Sequence, residues 1–310
     1  MTMSNYTYTG PLNGGYAIQD AHITNELEDF CKSTYEWLDF FAADGVTEHS
    51  KLFIAEFNKW IRSSKLNNIQ GLDAFPHVTQ TNGTSEAFSM FMQRHSDRRF
   101  KFYKGDFMMH KVASNNMGAT WKWIHSQEEV TVGDAVIVSC PFSDTGSKLK
   151  DLDMLLEACS KLRVPVLIDM AYFGMCYNID INLDMPCVEE VTFSLGKTFP
   201  IIGARAGIRL QREVIDDAVL FANQHGIVNN FGAMIGQFAM EAWGPDYVPN
   251  KYMKDQLLVC NRLEVKPTNC IIFALSNKEE HKQFNRGNEL TRLCISKLLV
   301  EEHDRRTKTL

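Results

Sequence analysis

Apolar positions fall into two rhythms along this chain. Residues 25–66 carry them at helical spacing, in LEDFCKSTYEWLDFF and again in KLFIAEFNKWIRSSK. After that, short runs of Val, Ile and Phe alternate with helical segments. HVTQT precedes SEAFSMFMQRH; RFKFY follows; AVIVSC precedes DLDMLLEACSKL; then come VPVLIDMAY and VEEVTFSL, and AGIRLQ precedes REVIDDAVLFANQ. Strands that alternate with helices predict an α/β fold, a three-layer αβα arrangement around a mainly parallel sheet. The rhythm breaks at AWGPDYVPN, residues 242–250, where two prolines and a glycine mark a boundary. Residues 50–243 are therefore expected to form a large domain. Residues 1–49 and 244–310 would supply an N-terminal segment and a small α+β domain. Its helix is expected around YMKDQLLVCNRL and its strands at NCIIFALS and TRLCISKLLV.

Composition narrows the function classes. With 45% hydrophobic residues in 310, the chain can bury a large core. A net charge of −6 and scattered basic residues leave no footprint for nucleic acid. No apolar run approaches a membrane span, and the polar start MTMSNYTYTGPLNGG lacks a signal pattern. Eight cysteines without a CxxC pair point to buried thiols in a reducing compartment, so the cytoplasm is the expected location.

In open α/β sheets ligands bind beyond the carboxyl ends of the strands. In QTNGTSEAF, Gly83 permits a close turn and Thr84 and Ser85 open a helix, whose free amides suit a phosphate. Phe107, in KFYKGDFMMHK, could stack on a flat ring. AVIVSCPFSDTGS ends in a polar loop with Ser143 and Asp144. VPVLIDMAY ends with Asp169 and, three residues on, Tyr172. VTFSLGKTFPIIGARAGIRL carries Ser194, Lys197 and Arg205 with Gly203 and Gly207. GKT at 196–198 is no phosphate loop, because that motif needs a glycine where Val191 stands. Each feature also has an ordinary reading: a helix cap, a core phenylalanine, a capping aspartate, a loop lysine. Together they offer a phosphate cup, a ring stack, an acid, a phenol and an amine able to form an imine. Pyridoxal phosphate needs that set.

The motifs TNGTSEAF, DMAY and SLGKTFPIIGARAG, in that order, resemble those of fold type I pyridoxal-phosphate enzymes, specifically the class I/II aminotransferases. The resemblance runs over residues 53–240 and weakly to 300. It implies that Lys197 holds the cofactor as an imine and moves the substrate α-proton. Asp169 would keep the pyridine nitrogen protonated, and Tyr172 would bond the 3′-oxygen. Gly83, Thr84, Ser85, Ser194 and Arg205 would hold the phosphate, and Phe107 would stack on the ring. TRLCIS is similar to the strand whose arginine grips a substrate α-carboxylate, here Arg292. A homodimer is implied, with GAMIGQFAMEAW at its interface and Asn229 and Asn230 near the neighbour's phosphate.

Departures from the family pattern matter too. Ser143 or Asp144 stands where an asparagine normally bonds the 3′-oxygen. The chain is short for the family at both ends, and EHSKLFIAEF lacks the tyrosine usually lent across the dimer. The expected activity is transamination of an amino acid or amine. Decarboxylation, elimination, racemisation or cyclisation on the same cofactor is the alternative, and a non-catalytic binding role a minor one. His49, His77, His110 and His125 read as surface or satisfied core residues, and Met108 and Met109 as core.

Overall fold

The structure, a computed structural model, describes residue 12, residues 14–33 and residues 48–308. The second half of LEDFCKSTYEWLDFF lies outside the described residues. The first seven strands are β1 (Asn68–Gln70), β2 (His77–Asn82), β3 (Arg99–Tyr103), β4 (Trp121–Ile124), β5 (Asp134–Ser139), β6 (Val166–Met170) and β7 (Asp180–Asn182). They are followed by β8 (Val188–Ser194), β9 (Ala206–Gln211), β10 (Lys266–Pro267), β11 (Phe273–Ser276) and β12 (Thr291–Cys294). The helices are α1 (Ala21–Ser33), α2 (Glu48–Arg62), α3 (Thr84–Arg94), α4 (Met108–Asn116), α5 (Leu152–Leu162), α6 (Ala218–Gln224), α7 (Asn230–Ala242), α8 (Tyr247–Leu263) and α9 (Ser296–Lys308).

Seven strands form one sheet in the order β2-β9-β8-β6-β5-β3-β4. β9 runs antiparallel to both its neighbours, and the other six strands share one direction. Period-two alternation explains the three layers. On β5 and β6, Val136, Val138, Val166 and Ile168 join the core that holds Phe53 and Phe57 of α2, Leu155 of α5 and Ala239 of α7. Their neighbours Ala135, Ile137 and Leu167 join a second core with Phe88 and Phe91 of α3 and Ala113 of α4. Both faces of the central strands are thus covered.

The small three-stranded sheet, β10-β11-β12, is antiparallel and carries α8 and α9. The N-terminal segment joins it, since Cys294 N donates to Leu12 O at 2.9 Å. β1 and β7 form a separate parallel pair. All eight cysteines are free thiols, seven of them buried. No helix of the described residues is long and apolar enough to cross a membrane.

Four local expectations are corrected. TRLCISKLLV is strand only to Cys294; Ser296 opens α9, which buries Ser296, Leu299 and Glu302 at three-residue spacing. In NCIIFALS only Phe273–Ser276 is strand. In REVIDDAVLFANQ the helix waits for Asp217, whose Oδ1 caps the amides of Val219 and Leu220 at 3.1 and 2.9 Å. Met108 and Met109 are not core: they are 48% and 42% exposed on α4.

Phe57 is fully buried and meets Phe53 and Trp60 edge-on, at 5.5 and 5.8 Å between ring centroids. Phe57→Ala should cost about 3–5 kcal/mol of stability in denaturant unfolding, because α2 cannot collapse into the space left.

Candidate active site

The alternation that builds the layers also aims the polar strand ends. Ser139 and Asp169 have the parity of Ile137 and Leu167, so they face α3 and α4. Ser194 lies opposite in parity to Phe193, which belongs to the other core. A cavity of about 280 Å³ opens there, at the carboxyl edge of the sheet. Thr84, Ser85 and Phe107 line it from the α3 and α4 side. Asp169, Tyr172, Ser194, Lys197 and Arg205 line it from the sheet side.

One end of the cavity is built for an anion. Gly83 sits at φ +75° before α3, so the first amides of the helix are free of the β2 ladder. Arg205 Nη2 donates to Asn82 O and to Ser85 Oγ, both at 2.7 Å. Arg205 itself has φ +53°, a left-handed conformation that costs a side-chain residue energy and is held by its surroundings. A Cβ on Gly207 would stand 2.8 Å from both Gly83 Cα and Phe193 O, so only glycine lets β9 pass this close. Ser194 Oγ accepts from Gly196 N at 3.3 Å.

The other end holds the amine and the acid. Lys197 is half-buried, and burial pulls its ammonium below the usual lysine range, with Arg292 and Arg205 pushing the same way. Its Nζ donates to Gly15 O at 2.6 Å and lies 5.8 Å from the Tyr172 ring centroid. Tyr172 is buried edge-on against Phe273, and burial raises its phenol. Asp169 is buried too. Its Oδ1 accepts from Ala171 N at 3.1 Å, and Thr84 Oγ1 donates weakly to Oδ2 at 3.4 Å. That leaves the carboxylate room for a further donor from the cavity. Arg292 stacks on Phe273 at 4.1 Å and bonds the carbonyls of Ser143 and Gly14.

Three residues behave unlike their sequence reading. Ser143 was expected to touch a cofactor, but it does not line the cavity; its hydroxyl accepts from Arg286 Nη1 at 3.3 Å, because a serine is too short to reach past its own loop. Asp144 turns the same way, bonded by Asn288. His110 is neither surface nor satisfied core. It is fully buried among Phe88, Phe102 and Phe107, with Nε2 3.5 Å from Asp169 Oδ2 and both ring nitrogens without a hydrogen-bond partner. A histidine one helical turn after Phe107 lies over the same strand ends, which is the signal that could have found it. Asn229 caps α7 by accepting from Gly232 N and also bonds Ala204 O, so its side chain is occupied within the subunit.

The profile of the aminotransferase class I and II family matches residues 94–243. The chain is a fold type I, aminotransferase-like protein. Among solved structures, aspartate aminotransferase of Thermus thermophilus is 15% identical, with a TM-score of 0.67 over 96% of each chain. Tyrosine aminotransferase of Leishmania infantum is 13% identical, with a TM-score of 0.64 over 94% of this chain and 91% of that one. N-succinyldiaminopimelate aminotransferase of Mycobacterium tuberculosis is 12% identical, with a TM-score of 0.65 over 96% and 93%. No curated protein matches the sequence. The cofactor this family implies is pyridoxal 5′-phosphate. The aminotransferase-like cavity fits it: an anion cup, a phenylalanine, and an under-bonded buried carboxylate across from a desolvated amine.

Two outcomes follow from this geometry. Gly207→Ala should destabilise the protein by about 1–3 kcal/mol in denaturant unfolding, since backbone stands on both sides of the new methyl. In cofactor-free protein, Lys197 should react with a small aldehyde at a lower pH than the surface lysines. Its lowered value means that the neutral amine appears earlier as pH rises; peptide mapping after borohydride trapping reads the order.

Proposed function

We propose that this protein is a pyridoxal-phosphate-dependent aminotransferase acting on an amino acid or a related amine. The observation that carries the reading is the single cavity that gathers Lys197, Asp169, Tyr172 and the Thr84–Ser85–Arg205 cup. Thr84, Ser85, Ser194 and Arg205 would hold the phosphate, by helix amides, hydroxyls and one guanidinium. Asp169 would hold a proton on the ring nitrogen, and Phe107 would pack on the ring. Lys197 is the amine that would hold the cofactor. When bound, pyridoxal phosphate supplies an electron-accepting ring that stabilises negative charge on the carbon beside the substrate amine. Lys197 Nζ, neutral more readily than an exposed lysine, would accept the proton from that carbon. Tyr172 would orient the oxygen side of the ring.

Arg292 would take a substrate carboxylate. Among the described residues no carboxylate lies within 4.0 Å of it, and its Nε is buried without a partner. Phe221, Ile227 and Phe231 stand 55%, 65% and 41% exposed around α6 and the start of α7, which supports pairing with a second copy. The buried free thiols suit a reducing cytoplasm.

Absorbance of the purified protein tests the reading. A visible band that disappears with borohydride, and is absent from Lys197→Ala, is expected. One equivalent of keto acid per site should then be released from a preferred amino acid without an acceptor, with Lys197→Ala slower by at least about a hundredfold. Release of carbon dioxide or ammonia instead would replace transamination with another reaction at the α-carbon. A protein that takes up no cofactor would overturn the reading.

A further inference from the structure

Arg286 lies outside every motif that suggested the site. It follows the short helix Glu279–Phe284 and precedes β12, in a loop tied by Asn285 Nδ2 to Asn288 O and Thr291 Oγ1 at 2.9 and 3.1 Å. Its guanidinium reaches across to the large domain and holds two loops at once. Nη1 donates to Ser143 Oγ at 3.3 Å, and Nη2 donates to Asp106 O at 2.8 Å. The first loop is the one whose asparagine is missing. The second leads straight into Phe107, and the Asp106 carboxylate also fixes it by accepting from Phe107 N at 2.7 Å and Ser139 N at 3.0 Å.

The charges around it are unbalanced toward the cavity. Asp144 Oδ1 is 3.7 Å from Arg286 Nη1 but has no hydrogen bond, and its other oxygen is taken by Asn288. Burial raises the Asp106 carboxyl, which weakens it as a counter-charge. Arg292 adds a second cation on the same Ser143 loop. The titratable and charged groups lining the cavity itself are Tyr172, Lys197, Asp169 and Arg205, with His110 against Asp169 and Cys294 acting on Lys197. Arg292 and Arg286 are the cations that act on the Tyr172 phenol against its burial.

We propose that Arg286 is a positioning residue that supplies, from the small domain, the positive field on the Tyr172 side of the cavity that a neutral amide at position 143 would otherwise shape. The inference rests on the reading that this cavity holds pyridoxal phosphate. A rigid fork suits the task, because it fixes the charge at one place while pinning the Ser143 and Asp106 loops. It also ties the field to domain contact: Arg286 belongs to the small domain and both of its partners to the large one.

The test is the pH midpoint of the visible spectral change in protein loaded with pyridoxal phosphate, with melting temperature measured alongside. A cation near the nitrogen that Lys197 contributes disfavours the protonated form of that nitrogen. Acting through the Tyr172 side rather than by contact with Lys197, Arg286→Gln should therefore raise the midpoint, by roughly a few tenths of a unit. Asp144→Asn removes the opposing carboxylate and should lower it. Arg286→Lys keeps the charge and should stay closer to the parent than Arg286→Gln does. A merely structural arginine would lower the melting temperature and leave every midpoint in place, and that result overturns the inference. If Arg286→Gln does not fold, an unmoved or raised midpoint in Asp144→Asn overturns it equally. If the parent protein takes up no pyridoxal phosphate, the functional reading fails and this inference falls with it. If the parent loads normally and the midpoints do not move, only the role of Arg286 fails.

Discussion

The close approach of Gly207 to Gly83, with no room for a side chain between them, fixes where everything else can stand. β9 is the one reversed strand of the large sheet, and it pairs with β2 on one side and β8 on the other. Because it is reversed, its first residues lie beside the last residues of β2 and β8: Ala206 pairs with Asn82, and Gly207 with both Thr81 and Ser194. The connection from β8 to β9 must then loop out and return at the carboxyl edge. That connection carries Lys197 and Arg205. The amine and the phosphate-end arginine are thus delivered to the same edge as the α3 N-terminus by strand direction alone. A side chain at 207 would push the ladder apart and move all three groups together.

Onto that edge the fold places charges with little solvent. Lys197 is pulled toward its neutral form and Asp106 toward its protonated form by burial, and Asp169 and His110 sit side by side without a good hydrogen bond. Buried polar groups left unpaired are costly, and such groups cluster where function demands them. The arrangement is coherent with a ligand that brings its own anion, ring nitrogen and carbonyl. The anion would meet Arg205, the ring nitrogen Asp169, and the carbonyl carbon Lys197.

Much of this was legible in the sequence because it depends on periodicity and on strand ends. The runs HVTQT, AVIVSC, VPVLIDMAY, VEEVTFSL and AGIRLQ all became strands of the large sheet, and the last residues of several line the cavity. What escaped depends on contacts between distant segments. His110 looks like any helix histidine until α4 is laid over β6. Arg286 looks like a solvated loop arginine until the small domain docks. Ser143 stood at the expected loop position, but side-chain length and the pull of two arginines turned it away from the cavity. The boundary between β12 and α9 was lost because SKLLV fits either a strand or a first helical turn.

Two cations of the candidate site lean on the backbone of one segment. Lys197 Nζ rests on the carbonyl of Gly15 and Arg292 Nη2 on that of Gly14, so consecutive residues of the N-terminal segment bond both, while Arg292 Nε stays without a partner. Carbonyls are neutral acceptors, whereas a carboxylate brings opposite charge and can bond a guanidinium through two parallel N–H···O contacts. The segment can therefore hold the site in order without competing strongly with an anionic substrate. The same segment is attached to β12 through Leu12, two residues from Arg292 on that strand. Were Arg292 to take a substrate carboxylate, displacing those carbonyls would loosen the hold of that segment on β12 as the new contact formed. Substrate charge and the seating of the N-terminal segment would in this way be linked through one arginine and a pair of glycine carbonyls.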